Sequence, residues 1–240
     1  MVLELHWIKA KCSTASIITI ENSRLSEHTL SLEIEFKRYI QEGVSDSEIV
    51  RAMEIEYGKL ALRTETVLDA YFYITDFPCG SSLRLREVSG KVEPELKIGH
   101  LSGSGMEQAR TEYKGAADVS RMLGLKTIAN LDELIGEMCT RYDLEFLVHQ
   151  DRTKIELGAI EVSLDTVRYH RAKSKNIPPL RNALGEIYHV SRICEVERKS
   201  REAIEFAKNI MQTLNELGLV GEVVPETKEQ IGRSARSSFP

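Results

Sequence analysis

From Leu30 to Ile40 the chain reads LSLEIEFKRYI, with apolar and polar side chains changing places at nearly every step. That period of two predicts a half-buried strand, with Ile34 and Phe36 on one face and Glu33, Glu35 and Lys37 on the other. Ser45 to Glu48 has the S-x-x-E form of a capping box, and Ile49, Met53 and Leu60 follow at near-helical spacing, which predicts a helix over 46–61. β-forming residues predict a strand over 66–74, broken by Pro78 and Gly80. Strands over 82–88 and 91–98 meet at Ser89-Gly90 as a hairpin, and Pro94 favours an edge or a bulge in the second. A loop over 99–105, a strand over 108–114, and helices over 116–125 and 130–138 follow. Strands near 139–148, 155–167 and 188–199 come next, with Pro178-Pro179 in a loop. The stretch 200–217 reads as an amphipathic helix with Ile204, Ala207, Met211 and Leu214 on one face and Gly218 as its stop. The polar tail from about 225 reads as disordered, and Val2 to Ile8 and Ser16 to Ile20 are candidate short strands.

With 240 residues, 42% of them apolar, the chain can build one fairly large domain or a domain with appendages. The formal charge of −5 argues against general affinity for nucleic acid, so an anionic ligand must be met by a local cluster of Lys and Arg. Cys12, Cys79, Cys139 and Cys194 lack C-x-x-C spacing, and the six histidines show no ligand spacing, so a zinc site is not expected. No N-terminal run has the length and apolarity of a signal peptide or membrane span; reduced thiols in the cytoplasm are the expectation.

The charges on the strands are sorted by sign. Glu33, Glu35 and Lys37 share a face, as do Arg84 and Arg86, then Glu161, Ser163 and Asp165, then Glu195, Glu197 and Lys199. Any one such strand fits a sheet with a wet outer face. The set says more. Acidic pairs lie on the first and last strands of the core, and basic residues Arg84, Arg86, Lys97 and Arg110 lie between them. A sheet that curls shut would turn all these faces onto one bore, where an unpaired ion costs several kcal/mol. A polyanion with a divalent cation removes that cost: carboxylates suit Mg²⁺ or Mn²⁺ and arginine forks suit phosphate. Lys91, Arg152 and Lys154 read as a solvated loop near a mouth, and Asp165 as a turn cap.

Glu33-x-Glu35-x-Lys37 resembles the ExExK signature of the CYTH superfamily of class IV adenylate cyclases, thiamine triphosphatases and inorganic triphosphatases. AYFYITDFPCGSSLRLRE (70–87), ELKIG (95–99), ARTEYKG (109–115), IEVSLDTV (160–167) and ICEVERK (193–199) resemble later pieces of that family in the same order. The resemblance covers about 30–217. It departs at Tyr73, where the family has an acid, and at Cys139, where a lysine preceding Arg141 is expected. It implies an α+β fold, an eight-stranded antiparallel β-barrel of the triphosphate-tunnel kind with flanking helices over 29–220. Residues 1–28 are then an extension without an assigned role and 221–240 a disordered tail. By the same resemblance Glu33, Glu35, Glu195 and Glu197 hold Mg²⁺ or Mn²⁺, Glu161 is a further ligand or positions water, and Lys37 takes part in catalysis. Lys37, Arg84, Arg86, Lys97, Arg110 and Arg141 hold the triphosphate. The implied activity is metal-dependent hydrolysis of tripolyphosphate or a nucleoside triphosphate, against cyclic AMP synthesis or binding without turnover. The partner implied is a small-molecule triphosphate, with neither nucleic acid nor membrane, and a homodimer is left open.

Overall fold

The computed structural model of the chain describes residues 32–78, 81–100, 107–125, 130–174, 177, 179–198 and 201–238. Nine antiparallel strands form one sheet among them: β1 (Leu32–Ile40), β2 (Ala61–Tyr73), β3 (Ser82–Val88), β4 (Lys91–His100), β5 (Glu107–Lys114), β6 (Asp143–Leu157), β7 (Ile160–Ala172), β8 (Leu184–Arg198) and β9 (Val220–Val223). The order is β5-β4-β3-β2-β6-β7-β8-β1-β9, and β5 pairs again with β1. Eight strands thus surround a tunnel. Its last seam is short: Leu32, Glu33 and Ile34 face Ala109, Gln108 and Glu107, and β9 takes over the same strand near Arg38 and Ile40. The ninth strand is an addition to the eight expected.

Local chemistry sets the joints. Ser89 and Gly90 both have positive φ, 52° and 77°, the mirror-image turn that matches strand twist, and Val88 pairs with Lys91 across it. The Pro94 carbonyl accepts from the Gly115 N–H. The proline nitrogen looks to the same side, past the end of the β5 ladder, so its missing donor breaks nothing. Helix α1 (Asp46–Tyr57) opens on the Ser45/Glu48 capping box and ends at Gly58, φ 84°.

The strand faces that point away from the tunnel build two cores. Leu68, Phe72, Leu83, Leu85, Leu96 and Leu147 pack under α2 (Ala116–Met122), α3 (Leu131–Arg141) and the 3-10 turn Leu180–Ala183. Ile155, Ile160, Val162, Leu164, Cys194 and Val196 pack under α1 and α4 (Ile204–Glu216). A third cluster sits inside one end of the tunnel, where Tyr71, Phe146, Val148, Val167, Tyr169 and Ile193 meet Val224 and Ile231.

Three expectations are corrected. Strand β6 starts at Asp143, because α3 runs on through Cys139 and Arg141. The expected loop between 148 and 155 is the middle of that strand, which turns at Gly158 (φ 60°) straight into β7. The segment 221–240, expected as a disordered tail, forms most of β9 and α5 (Lys228–Ser237), capped by Thr227 and Gln230. Residues 1–28 lie outside the described residues.

Leu85 is fully buried in the first core. Leu85→Ala is expected to cost about 2–5 kcal/mol, read as a lower urea midpoint with an unchanged slope.

Candidate functional site

Each strand of the ring sends alternate side chains inward, and the inward set encloses a cavity of about 360 Å³ lined from all eight strands. Glu35 and Lys37 come from β1, Arg84 and Arg86 from β3, Lys97 from β4, Glu161 from β7, and Glu195 and Glu197 from β8. The side chains of Glu33 and Arg110 lie outside the described residues. Arg141 does not reach this cavity: at the end of α3 it donates to the Leu123 carbonyl, 2.8 Å, and lies over the Tyr142 ring.

The acidic side is a row set by register. Glu35 stands opposite Glu197, and Glu197 opposite Glu161, so three carboxylates lie abreast on β1, β8 and β7. Directly opposed like charges are unfavourable in a sheet, and Lys37 beside Glu35 and Lys154 beside Glu161 offset that repulsion in the row. In the next row Lys37 faces Glu195 and Glu195 faces Ser163.

The basic side is held by buried acids. Asp69, fully buried on β2, accepts from Arg86 through both oxygens at 2.8 and 2.9 Å, from Gln150 at 2.8 Å and from Arg84 at 3.4 Å. Burial alone would raise the Asp69 carboxyl, but Arg84 and Arg86 outweigh it and hold it well below the usual range. Arg84 also donates to Glu95 at 2.8 Å through Nε, with a second contact through Nη2, and to the Tyr71 hydroxyl at 3.1 Å. Burial pushes that hydroxyl up to about 12, so it stays protonated at neutral pH.

Between the two sides lie Arg152, Lys154 and Asp165, which the sequence reading set aside, and the expected Lys37 and Lys97. Arg152 clasps Asp165 at 2.7 and 2.8 Å and reaches Glu195 at 3.4 Å. Asp165 is therefore a buried ion-pair partner and no turn cap. Lys154 reaches Glu65 at 3.2 Å and Glu161 at 3.1 Å. Lys97 and Lys114 share Glu112 at 3.2 and 3.0 Å. Lys37 reaches Glu35 at 2.5 Å and Glu195 at 3.7 Å. Burial would raise the Glu195 carboxyl, yet Lys228, Lys37 and Arg152 together hold it far below the ordinary value. Alternation in Gln150-Asp151-Arg152-Thr153-Lys154 was the available signal for β6. For Asp69 and Lys228 there was none beyond their charge.

Acid and base thus nearly balance within the cavity. Among the described residues, no three His, Cys, Asp or Glu side chains converge as a ready metal cage. The donor type nonetheless fits a hard divalent cation, because every candidate ligand in the row is a carboxylate oxygen.

Neither a family model nor a curated protein sequence matches the chain. Solved structures do. A candidate adenylate cyclase from Bacillus halodurans is 16% identical, with 83% of this chain and 96% of that one covered and a TM-score of 0.48. A chain of the Schizosaccharomyces pombe Mediator head module is 10% identical, covering 80% and 98%, TM-score 0.49. An inorganic triphosphatase is 20% identical, covering 87% and 99%, TM-score 0.38.

Removing the acid beneath the arginines leaves buried guanidinium charge, so Asp69→Asn is expected to destabilise the fold by about 3–5 kcal/mol. The pH sign follows from its depressed folded value. The unfolded chain binds the proton more readily, so the contribution is complete above the ordinary carboxylate range, about pH 4, and is lost as pH falls further. Urea midpoints from pH 7 down to pH 3 should decline in the native chain, and Asp69→Asn should flatten that decline. Parallel curves for the two proteins would refute the assignment.

Proposed function

We propose that this chain binds a triphosphate with Mg²⁺ or Mn²⁺ in its tunnel and hydrolyses the terminal phosphoanhydride. The observation that carries the reading is the three-carboxylate row of Glu35, Glu197 and Glu161 facing one cavity with Lys37, Lys97, Lys154, Arg84, Arg86 and Arg152. The order of sequence pieces resembling the CYTH superfamily supports it.

In this reading Glu35, Glu197 and Glu195, with Glu33 by the resemblance, hold the cation. When bound, it neutralises phosphate charge and makes the phosphorus easier to attack. The chain's own work is positioning. Lysines and arginines on β1, β3, β4 and β6 grip the phosphate oxygens and keep the chain of phosphates extended. Arg110 belongs to this group by the resemblance. Glu161 orients a water toward the terminal phosphorus and takes its proton as the P–O–P bond breaks and the remaining diphosphate leaves. Lys37, between Glu35 and Glu195, offsets charge that develops on the transferred group.

Because every cavity cation named above already touches a carboxylate, a polyanion must displace internal acids, and a metal must displace internal cations. Each ligand frees the other's partners, so the two bind cooperatively and by the same factor in either order.

The test is phosphate release from tripolyphosphate and from ATP, each with Mg²⁺ or Mn²⁺ over a range of pH. Release is expected, with Glu161→Gln lowering kcat by about 100-fold or more, the scale on which one preorganised group acts in such a site. Arg152→Ala should raise KM more than it lowers kcat. Calorimetry should find tripolyphosphate binding tightened by Mg²⁺. Absence of phosphate from every combination would overturn hydrolysis. Cyclic AMP from ATP would assign a cyclase, and metal-coupled binding without turnover a binding module.

A further inference from the structure

Nothing in the proposed chemistry uses α5, yet its first turn forms part of the cavity wall through Thr227, Lys228 and Glu229. The Lys228 ammonium lies 2.7 Å from Asp165 and 3.0 Å from Glu195. Arg152 and Lys37 share those carboxylates, so Lys228 is the only one of the three that arrives from outside the strands. Farther along, Ile231 and Ala235 join Val224 against Tyr71, Phe146 and Tyr169, the aromatic end of the tunnel. The approach is tight at Gly232: a Cβ there would stand 2.6 Å from Phe146 Cε2 and 3.0 Å from Tyr169 Cδ1. The Tyr188 hydroxyl donates to the Gly232 carbonyl at 3.1 Å, and Arg233 donates to Glu145 at 2.9 Å.

We propose that α5 is an intramolecular plug whose Lys228 ammonium holds the Asp165 and Glu195 carboxylates in place of a divalent cation, so that metal binding and plug seating oppose one another. The inference rests on the metal-site reading above. Two features make the contact exchangeable. The plug is a ten-residue helix, too short to be stable in isolation, held by a few apolar side chains and ion pairs. Its helical state therefore depends on these docking contacts, and a ligand that takes the Lys228 carboxylates removes part of them. A divalent cation also brings twice the charge of an ammonium to the same oxygens. Gly232 is then the residue that lets the plug seat, and Lys228 the one that occupies the carboxylates.

The experiment uses the full chain, Lys228→Met and Gly232→Leu. The first removes the ammonium while keeping the apolar contacts. The second pushes the helix off its aromatic floor while keeping every charge. Mn²⁺ binding is measured by electron paramagnetic resonance of the free ion, and hydrogen exchange of 228–237 is followed with and without Mn²⁺. Both variants should bind Mn²⁺ about tenfold or more tightly than the native chain, the gain expected when a closed state no longer competes. Linkage requires that Mn²⁺ speed exchange in the native α5. Equal or weaker Mn²⁺ binding in both variants, with α5 exchange unmoved by Mn²⁺, would overturn the plug and leave the metal site standing. Absence of Mn²⁺ binding in all three proteins would overturn the metal site and the plug with it.

Discussion

A sheet that curls on itself has an inside, and half of every strand must face it. That constraint governs this molecule. Eight strands put alternate residues into a narrow bore, and many of those residues are ionisable. Bulk water cannot screen them all, and an uncompensated ion there costs several kcal/mol. The chain answers by interleaving signs. Acids on β2, β4 and β5 sit beside bases on β3 and β4; bases on β6 sit beside acids on β2, β7 and β8. The outer faces carry two apolar patches, and helices dock on them. One alternation of polar and apolar positions therefore fixes the wall, the two outer cores and the chemistry of the lumen.

How much of this the sequence disclosed follows from which signals are local. Glu33-Ile34-Glu35-Phe36-Lys37 and Leu83-Arg84-Leu85-Arg86 declare both period and polarity in five or four residues, and their strands lie where expected. Ser45 with Glu48, and Ser89-Gly90, are short motifs with a single geometric meaning. Failures came where a decision depended on distant partners. Residues 148–155 carry charges on both faces, so their period is visible but no apolar stripe marks them as wall; only pairing with β2 and β7 does so. Arg141 was misplaced with them, since a late start to β6 moves the basic pair from the helix end to Arg152 and Lys154. Asp69 sits in an apolar stretch and is buried because two arginines, 15 and 17 residues away, close on it. The tail is polar in composition, and its few apolar residues gain a partner only when the tunnel end exists to receive them.

The ion pairs in the bore are not equivalent, and their difference gives the site its direction. Asp69 is fully enclosed, takes Arg86 by both oxygens, and is tied to Gln150 as well. A planar guanidinium locked in two bonds surrenders them only together, so this pair behaves as framework. The lysine contacts are of another kind. Lys37, Lys154 and Lys228 each present a single charged atom on a flexible stem, shared between two carboxylates, and Lys97 presents one to Glu112. Swinging such an ammonium from a carboxylate to a phosphate oxygen replaces one charge-assisted hydrogen bond with another at little cost in geometry. In the proposed function the arginines fix where an anion lies, and the lysines exchange a carboxylate for the ligand. A bore built of arginine pairs alone would be too rigid to exchange partners. One built of lysine pairs alone would lack a defined register for the ligand. On the proposed function, the mixture lets a resting tunnel of nearly balanced charge take up its ligand by moving a few side-chain termini while the strands stay in place.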